Sequence, residues 1–434
     1  MGFLRITFFL FLIIPAFGQR HCAAGKLGKK PAENQFQAGG KAFEARIREM
    51  SAAEEKSVLA DGDSLYYIPV VVHVLHNGEA EGSGRNLPMS RIQSQIDILN
   101  QDYGRQAGSP GFNNHPSGAD TRIRFCLASQ DPNGNPSTGV VRVNTGVDAF
   151  DLFTQNTQLK GYSNWNPEKY LNIWVCKLLN SYIGYAQYPM ISPLWADSLP
   201  MVPNVEDVQP DGVVIEYRVF GDVPSGESGP YTSYNKGRTA SHEVGHYLGL
   251  LHIWGDGGSC ADNKTDFCSD TPPQATYTSG CPNPPSSCQT GTAAMIENYM
   301  DYTNDVCMNI FTQEQKTRMR IVLRNCVRRK SVKSTSSSCG ISAVNPGQDR
   351  PEISRLILEH DPDGNYLDIK PVETEIRELS VCDIFGRRIA FLQPEINYAT
   401  YTTRIQTGGL ARGTYFVRAK DGNGLIRLAS FRRF

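Results

Sequence analysis

Short apolar runs, divided by turns rich in glycine, proline and asparagine, are the main pattern of this chain. The strongest run covers residues 66–75, where Val70, Val71, Val72 and Val74 give the density of β-branched side chains that is typical of a buried strand. Further extended segments are predicted at residues 122–128, 171–176, 184–188 and 212–217. We expect the folded core to begin at the first of these strands.

A helical period follows the first predicted strand. The apolar positions that repeat at steps of four, three and four are Ile92, Ile96, Leu99 and Tyr103. Ser90 precedes them and is the predicted N-cap. A second helical stretch is predicted over residues 42–59. Strands mixed with a few helices indicate an α+β or α/β architecture, and we take α+β as the predicted fold class.

A histidine-rich motif near the middle of the chain gives the clearest chemical signal. Residues 242–252 read His-Glu-Val-Gly-His-Tyr-Leu-Gly-Leu-Leu-His. Positions four apart share a helix face, so His242 and His246 can bind one cation while Glu243 lies beside them. Gly249 can leave the right-handed helical region at low cost, so the chain can turn there and add His252 as a third nitrogen ligand. Three ligands leave a fourth position open for water, as a catalytic zinc site requires.

Two classes of function fit this motif. In a secreted metallopeptidase, zinc activates a water molecule, and Glu243 acts as the general base that takes its proton and passes it to the leaving amine. In an adhesin or binding module, the motif is a relic, and binding survives removal of the metal. The complete set of three histidines with an adjacent carboxylate favours the peptidase.

The first 62 residues have the features of segments that are absent from a mature protein. Residues 1–18 combine Arg5, an apolar run at 6–17 and small residues before position 19, which is the layout of a secretory signal. That run is too short to span a bilayer stably, and no other stretch approaches the required length. Residues 19–62 are polar and lack the apolar content to fold alone, so they are predicted to be a propeptide that covers the active-site cleft.

Size and charge narrow the class of partner. At 434 residues the chain is long enough for two or more domains. The formal net charge is −1 and no long basic run is present, so no nucleic-acid partner is expected.

Eleven cysteines in an exported chain indicate disulfides, and the odd number leaves at least one sulfur over. Six of them fall at positions 260–326. Residues 255–291 are rich in Gly, Pro, Ser and Asp and have little apolar periodicity, so we expect bridges to hold this segment. Cys126 and Cys176 lie in two predicted strands and are a candidate pair.

Cys22 stands apart from the other cysteines, in the sequence Arg20-His21-Cys22-Ala23. A thiolate is a strong zinc ligand, so a cysteine on a removable segment could fill the open position at the metal and displace the water. A lipid anchor and a plain disulfide are the alternatives. A lipoprotein signal requires small residues directly before the cysteine, and Arg20 and His21 do not fit that requirement.

The composition changes after residue 328. Residues 329–350 are rich in serine and begin with basic residues, and they are predicted to be a solvated linker. Residues 351–434 contain short strand-like runs with turn signals at 361–365, 385–387 and 421–424, which together predict a small β-sandwich.

The histidine motif resembles the metzincin signature, His-Glu-x-x-His-x-x-Gly-x-x-His, which is followed downstream by a methionine-containing turn. Asn298-Tyr299-Met300-Asp301-Tyr302 is similar to that turn. With the segments at 270–273, 280–282 and 307–309, the chain resembles the pappalysin-type metzincins, the ulilysin- and cytophagalysin-like enzymes of peptidase family M43. The similarity covers roughly residues 66–326.

The resemblance implies roles for individual residues. By it, Met300 is the methionine of the Met-turn. Tyr302 lies near the zinc ion and stabilises the tetrahedral intermediate. The resemblance also supports Cys22 as a cysteine switch, so that the chain is made as a latent proenzyme.

The resemblance further implies a zincin-like catalytic domain over residues 63–328, with a twisted mixed sheet and an active-site helix. It pairs Cys260 with Cys288 and Cys281 with Cys307, and it leaves Cys268 and Cys326 without assigned partners. An edge strand runs along the cleft in that family, and residues 184–188 resemble it. Such an edge would bind an extended peptide substrate as an added strand.

The end of the chain resembles a second family. The segments at 383–388 and 410–417, with a basic and aromatic terminus, are similar to the C-terminal sorting domains of type IX secretion cargo. This implies export through the periplasm of a Gram-negative bacterium, to the cell surface or the medium, with the secretion machinery as a partner. A substrate-binding or adhesive β-domain is the alternative.

Two finer predictions concern the loops. Asp262, Asp266 and Asp270 offer hard oxygen ligands where related enzymes bind calcium, so a structural Ca²⁺ is a candidate cofactor, with a solvated acidic loop as the alternative. The pocket after the scissile bond is expected to be walled by residues that follow the Met-turn. There Asp305 would favour a basic substrate side chain and Val306 an apolar one, and the sequence does not decide between them.

Overall fold

The structure is a computed structural model. It describes residues 22, 38, 40–56, 64–190, 210–224, 226–326, 328–332, 339, 357–360, 366–370, 376–383, 389, 395–397, 402–421 and 426–433. The predicted signal at 1–18 lies outside these residues, as does much of the predicted propeptide. The chain divides into two compact units, Met1–Ser342 and Ala343–Phe434.

The first unit is built on a mixed sheet of six strands. They are β1 (Tyr66–His76), β2 (Ile123–Leu127), β3 (Val140–Asn144), β4 (Leu171–Cys176), β5 (Gly184–Ala186) and β6 (Gly212–Glu216). The order is β2-β1-β4-β6-β5, and β3 also pairs with β1. A separate two-stranded sheet pairs β7 (Ser279–Gly280) with β8 (Tyr302–Thr303). Strand β5 is antiparallel to β6, and the other pairs are parallel. As the sequence predicts, residues 184–186 therefore form the edge strand.

The helices are α1 (Lys41–Lys56), α2 (Met89–Tyr103), α3 (Leu152–Gly161), α4 (Arg238–Tyr247), α5 (Gln313–Asn325) and α6 (Arg329–Val332). The prediction that Ser90 caps α2 is wrong, because Pro88 is the N-cap and no side chain caps this end. Proline fixes φ and starts the helix earlier, which leaves Ser90 inside the first turn. Helix α3 is capped by Asp151, whose carboxylate accepts from the backbone N–H groups of Phe153 and Thr154.

Apolar side chains pack on both faces of the sheet. Strand β4 is buried along its whole length. Leu171, Ile173 and Val175 join a core cluster with residues of α2 and α4. Trp174 and Cys176, which alternate with them, join a second cluster that includes Phe43 and Ile47 of α1 and also Cys22. Cys22 and helix α1 are therefore packed into the core on this face of the sheet.

Three disulfides appear among the described residues. Cys260 is bonded to Cys288 and Cys281 to Cys307, the two pairings that the resemblance implies. The third bond joins Cys126 to Cys339. Pairing Cys126 with Cys176 is wrong: β1 lies between their strands, so the two backbones are about 10 Å apart, which exceeds the reach of a disulfide. Cys176 instead keeps a buried thiol.

The predicted linker starts too early. Arg329 is fully buried and forms a two-pronged ion pair with Asp211, with N–O distances of 2.6 and 3.0 Å. Residues 329–332 form α6, which contacts α5. The folded part of the first unit therefore extends past residue 328.

The second unit consists of two antiparallel sheets. Strands β9 (Ile357–His360), β10 (Tyr366–Lys370), β12 (Glu395–Asn397) and β13 (Thr402–Gln406) form one, and β11 (Ile376–Asp383), β14 (Gly413–Asp421) and β15 (Ile426–Arg433) form the other. Leu367 and Ile405 of the first sheet share a core cluster with Val381, Val417 and Phe431 of the second. The two sheets therefore pack face to face as the predicted small β-sandwich.

A search of the described residues for membrane-spanning helices found none of sufficient length and apolar character.

Candidate metal centre

Three imidazoles converge at the end of α4. His242 and His246 lie one turn apart on this helix, and both side chains are buried. The Nε2 atom of His246 lies 3.1 Å from Nε2 of His242 and 3.1 Å from Nε2 of His252. Nitrogen ligands at about 2.0–2.1 Å from a tetrahedral zinc ion are separated by about 3.3 Å. The three histidines thus have the spacing that one zinc ion requires.

A tight turn after α4 brings the third histidine to the other two. Gly249 has a φ of +92°, and its N–H donates to the carbonyl oxygen of His246 at 2.9 Å. A Cβ at this position would lie 2.8 Å from Cγ2 of Val322 in α5. The turn therefore needs glycine both for its backbone conformation and for space.

The hydrogen bonds of the Nδ1 atoms indicate which ring nitrogens face the metal position. Nδ1 of His242 lies 2.7 Å from the carbonyl oxygen of Tyr299, and Nδ1 of His246 lies 2.8 Å from that of Leu250. These nitrogens therefore carry the protons, and Nε2 of each neutral ring presents a lone pair. Burial, and then the neighbouring His252, lowers the pKa of His246 to about 3, which keeps its ring neutral. Lone pairs that face one another at this distance fit a bound cation.

The third histidine is oriented by a carboxylate that the sequence reasoning missed. Nδ1 of His252 lies 2.7 Å from Oδ1 of Asp256. Burial raises the pKa of Asp256, but His252 and the other basic groups around it together hold that pKa below its usual value. In the sequence, Asp256 is marked only by its position four residues after His252. That spacing predicts a contact within a helix, and these residues do not lie in one.

Cys22 lies at the open side of the three imidazoles. Its Sγ and the three histidine nitrogens are all within 4.8 Å of one another, and all four residues are buried. They form the one cluster of metal-binding side chains found in the described part of the chain. Residue 22 also forms a parallel β-bridge with Gly184 of the edge strand. Cys22 therefore lies beside β5 as well as beside the three imidazoles.

Glu243 is buried between the metal cluster and the edge strand. A Cβ on Gly184 would lie 2.5 Å from Oε1 of Glu243. Glycine at this position in β5 therefore leaves the space that the carboxylate occupies. No pattern in the sequence indicates this contact, because Gly184 and Glu243 are far apart along the chain.

The predicted Met-turn lies directly beneath α4. Met300 is fully buried, and a Cβ on Gly245 of α4 would lie 2.5 Å from its sulfur atom. The backbone N–H of Met300 donates to Oδ1 of Asn298 at 2.9 Å. The preceding residue, Tyr299, supplies the carbonyl oxygen that faces His242. The turn thus supports one metal-binding histidine through its backbone.

Tyr302 lies beside the histidines, within a group of aromatic rings. Its ring centroid is 5.7 Å from that of His242 and 5.0 Å from that of His252. Trp254 and Tyr277 pack against it at 4.8 and 5.3 Å. Burial, and then the negative groups of Cys22 and Glu243, raises the pKa of Tyr302 well above its usual value. The phenol therefore keeps its proton and can donate a hydrogen bond.

The carboxylate of Asp305 is not available to a substrate pocket, contrary to the expectation above. The side chain is buried, and Oδ2 accepts from the backbone N–H groups of Lys236 at 2.9 Å and Arg238 at 3.1 Å. A carboxylate at the start of α4 is stabilised by the helix dipole. Val306 is instead 75% exposed.

The three carboxylates of the calcium prediction do not come together. Asp262 accepts from backbone N–H groups of its own turn. Asp266 is buried and accepts from the Thr271 hydroxyl, and Asp270 accepts from the backbone N–H of Glu314 at the start of α5. The three carboxylates accept hydrogen bonds from different parts of the chain and do not face one common position. This arrangement gives the calcium prediction no support.

Comparisons with known proteins agree with this geometry. Residues 228–324 match the peptidase family M43, described as pregnancy-associated plasma protein-A, and residues 361–428 match the secretion system C-terminal sorting domain. An extracellular metalloprotease of Arthroderma otae is 34% identical over 278 residues, which are 64% of this chain and 85% of the relative. Extracellular metalloprotease 1 of Coccidioides posadasii is 30% identical over 71% of this chain and 94% of its own length.

Solved structures show the same likeness. Mature mirolysin of Tannerella forsythia, in complex with a cleaved peptide, is 38% identical over 64% of this chain and 99% of its own, with a TM-score of 0.53. A promirolysin mutant from the same organism is 35% identical and covers 73% of this chain and 98% of its own, with a TM-score of 0.56.

The mixed sheet, the helix with its histidine motif and the Met-turn define a metzincin, a class of zinc metalloendopeptidases. The chain belongs to the pappalysin family of metalloproteases, peptidase family M43, and carries a type IX sorting domain. It is a secreted or cell-surface enzyme, exported through the periplasm of a Gram-negative bacterium.

Proposed function

We propose that this chain is made as a latent proenzyme and that its processed form hydrolyses internal peptide bonds of proteins at the centre formed by His242, His246 and His252. The observation that carries this proposal is the convergence of three Nε2 lone pairs beside the carboxylate of Glu243. When bound, zinc polarises the scissile carbonyl and lowers the pKa of a water molecule.

Glu243 is the proposed general base. Its carboxylate lies between the metal ligands and β5, where it can take a proton from the attacking water and deliver it to the leaving amine. The phenol of Tyr302, which keeps its proton, is proposed to donate a hydrogen bond to the developing oxyanion. Met300 supports the site from below and takes no part in proton transfer.

Strand β5 is the proposed substrate-binding edge. One side of β5 pairs with β6, and the other side faces the segment of Cys22. Once that segment has left, an extended substrate can add to the same edge as a further strand. Mature mirolysin, a relative, is known in complex with a cleaved peptide, which supports a peptide as the class of ligand.

Cys22 is the proposed switch of latency. A thiolate at the open side of the three imidazoles takes the position that the catalytic water needs. We assign residues 1–18 to the signal, 19–62 to the leader that is removed, and 351–434 to sorting by the secretion machinery. The existence of a promirolysin form in the family supports the leader.

The general-base role is tested by Glu243→Gln. This substitution removes the basic oxygen and leaves the three histidines in place, so we expect loss of peptidase activity with zinc still bound. The measurements are hydrolysis of a fluorogenic peptide by processed enzyme and metal analysis of the same sample. Normal activity in the variant would contradict the assignment.

The switch is tested in the unprocessed chain. Cys22→Ala should give peptidase activity before the leader is cleaved, whereas Ser259→Ala, at an exposed residue away from the cleft, should stay latent. Unchanged latency of the Cys22 variant would reject the switch and would leave the role of Glu243 untouched.

A further inference from the structure

Helix α1 of the leader packs against the catalytic unit with one apolar face. Phe43 and Ile47, one turn apart, are buried in the same cluster as Ile321 and Val322 of α5. Ahead of the helix, the N–H of Ala38 donates to the carbonyl oxygen of Pro189 at 3.2 Å. The surface formed by α5, Pro189, Leu251 and Phe267 is termed the helix dock below.

A buried ion pair lies at the centre of this contact. Both terminal nitrogens of Arg318 in α5 donate to the carboxylate of Glu44, each at 2.6 Å. The two residues are only 3% and 5% exposed. Burial is the largest effect on the pKa of Arg318 and lowers it, but the negative groups around it, with Glu44 the strongest of them, together raise that pKa. The guanidinium also lies 5.8 Å from the ring centroids of Phe43 and Phe267, so the pair is enclosed by apolar groups.

The outer face of α1 has a different character. Arg46 and Glu49 form an ion pair whose side chains are 34% and 67% exposed. Helix α1 is thus amphipathic: among the side chains that the structure describes, Glu44 lies on its buried face and Glu49 on its solvent face. Glu49 therefore provides a matched control for Glu44 within the same helix.

Arg318 also links the helix dock to the metal centre. Its Nε donates to the carbonyl oxygen of Gly249 at 2.7 Å, in the turn that brings His252 to the other histidines. The contacts of α1 named above fall on α5 and its neighbouring loops. Cys22 shares their apolar cluster, but its Sγ lies beside the three imidazoles, and it forms its β-bridge with Gly184. The leader therefore makes two different sets of contacts, only one of which involves the metal-binding residues.

We propose that the helix dock is a binding site for an amphipathic helix that carries a carboxylate on its apolar face, that α1 is its occupant, and that it holds α1 independently of Cys22 and of the metal. The proposal rests on the proposed removal of the leader. Loss of the Cys22 contact then leaves α1 in place, and processed enzyme presents Arg318 at the base of an apolar groove that binds α1 again as a separate peptide.

Hydrogen exchange of the unprocessed chain tests this independence. In the Glu243→Gln background, which prevents self-cleavage, amides of residues 41–56 should stay protected when Cys22 is changed to Ala. Adding Glu44→Gln should lower their protection by about 100-fold, because a buried guanidinium is then left without its carboxylate. Adding Glu49→Gln should leave it within about threefold of the parent. Loss of protection in the Cys22 variant alone, or equal effects of the two glutamine substitutions, would overturn the proposal.

A second measurement uses processed enzyme. A labelled peptide of residues 38–56 should bind saturably by fluorescence anisotropy, with the same Kd before and after removal of zinc by a chelator. Its Glu44→Gln form should bind about 100-fold more weakly, and its Glu49→Gln form should match the parent. Absence of saturable binding, or a Kd that depends on zinc, would refute the site. Neither readout depends on peptidase activity, so failure of the proposed catalysis would be seen separately.

Discussion

The buried ion pair between Arg329 and Asp211 offers a quantitative test of how the C-terminal end of the catalytic unit is held. Besides the two bonds to Asp211, Arg329 donates to the carbonyl oxygen of Tyr247 at 2.8 Å and to that of Gln187 at 3.1 Å. Its guanidinium carbon lies 3.5 Å from the ring centroid of Tyr247. Arg329 thus joins α6 to the end of α4 and to the residues after β5.

Replacing Arg329 by Met keeps an unbranched apolar side chain but removes every one of these donors. Asp211, which is 4% exposed, would then lose its two-pronged partner and keep the longer ion pair with Arg328, at 3.9 Å. Breaking such a pair costs about 3–5 kcal/mol. Asp211→Asn should cost a similar amount, and the double variant should cost less than the sum of the two by about 1–3 kcal/mol, because the interaction is lost only once.

Urea unfolding followed by tryptophan fluorescence measures these costs. All four tryptophans, at positions 165, 174, 195 and 254, lie in the first unit, so the signal reports on that unit. The Glu243→Gln background avoids self-cleavage. The exposed pair of Lys236 and Asp222 is the control, and Lys236→Met should cost at most about 1 kcal/mol. An Arg329→Met variant within that same margin of the parent would refute the reasoning.

Three further predictions follow from particular contacts. Gly184→Ala would place a Cβ against the Glu243 carboxylate, so kcat should fall by about 10–100-fold while zinc analysis shows full occupancy; an unchanged kcat would contradict the contact. Met300→Ala should lower the free energy of unfolding by about 2–5 kcal/mol and Met300→Leu by less than about 1.5 kcal/mol, in the same urea assay, and equal costs would argue against tight packing under α4. Burial raises the pKa of Asp266 to about 7, above its unfolded value near 3.8, so its cost to stability is absent at pH 4 and grows as the pH rises to 7. Relative to the parent, Asp266→Asn should therefore gain stability across that range, whereas parallel pH profiles of the two proteins would contradict this.

Much of the fold could be predicted from local patterns. Strand β4 has the predicted limits, and β1, β2, β5 and β6 differ from theirs by at most a few residues, because a run of β-branched and aromatic side chains is a local signal. Strand β3 and helices α3 and α5 were missed. The strand is only half buried, α3 has almost no apolar period, and α5 buries Gln315, Arg318 and Arg320 among its apolar residues, so apolar positions alone do not mark its buried face.

The metal centre was predictable where its parts are close in sequence. The positions of His242, Glu243 and His246 follow from one helical turn, and Gly249 explains the approach of His252. Asp256 and Gly184 could not be found in that way. Asp256 meets His252 only through the loop that follows, and Gly184 meets Glu243 only because β5 lies at the edge of the sheet beside α4. Contacts of this kind depend on tertiary structure.

The disulfides, too, were only partly predictable from the sequence. The bridge from Cys126 to Cys339 closes a long loop, and no pattern in the sequence points to it. Strand order excludes the pair with Cys176, and that order is a property of the folded sheet. The role of Asp305 was not predictable either. Its carboxylate accepts a hydrogen bond from the backbone just before α4, whereas its position after the Met-turn suggested a substrate pocket.

Metal analysis of processed enzyme tests the central claim most directly. We expect one zinc ion per chain after gel filtration in metal-free buffer, loss of that zinc in His246→Ala, and full retention in His115→Ala, whose imidazole lies in a separate loop. A parent protein without zinc, or a His246 variant that binds zinc as the parent does, would contradict the account.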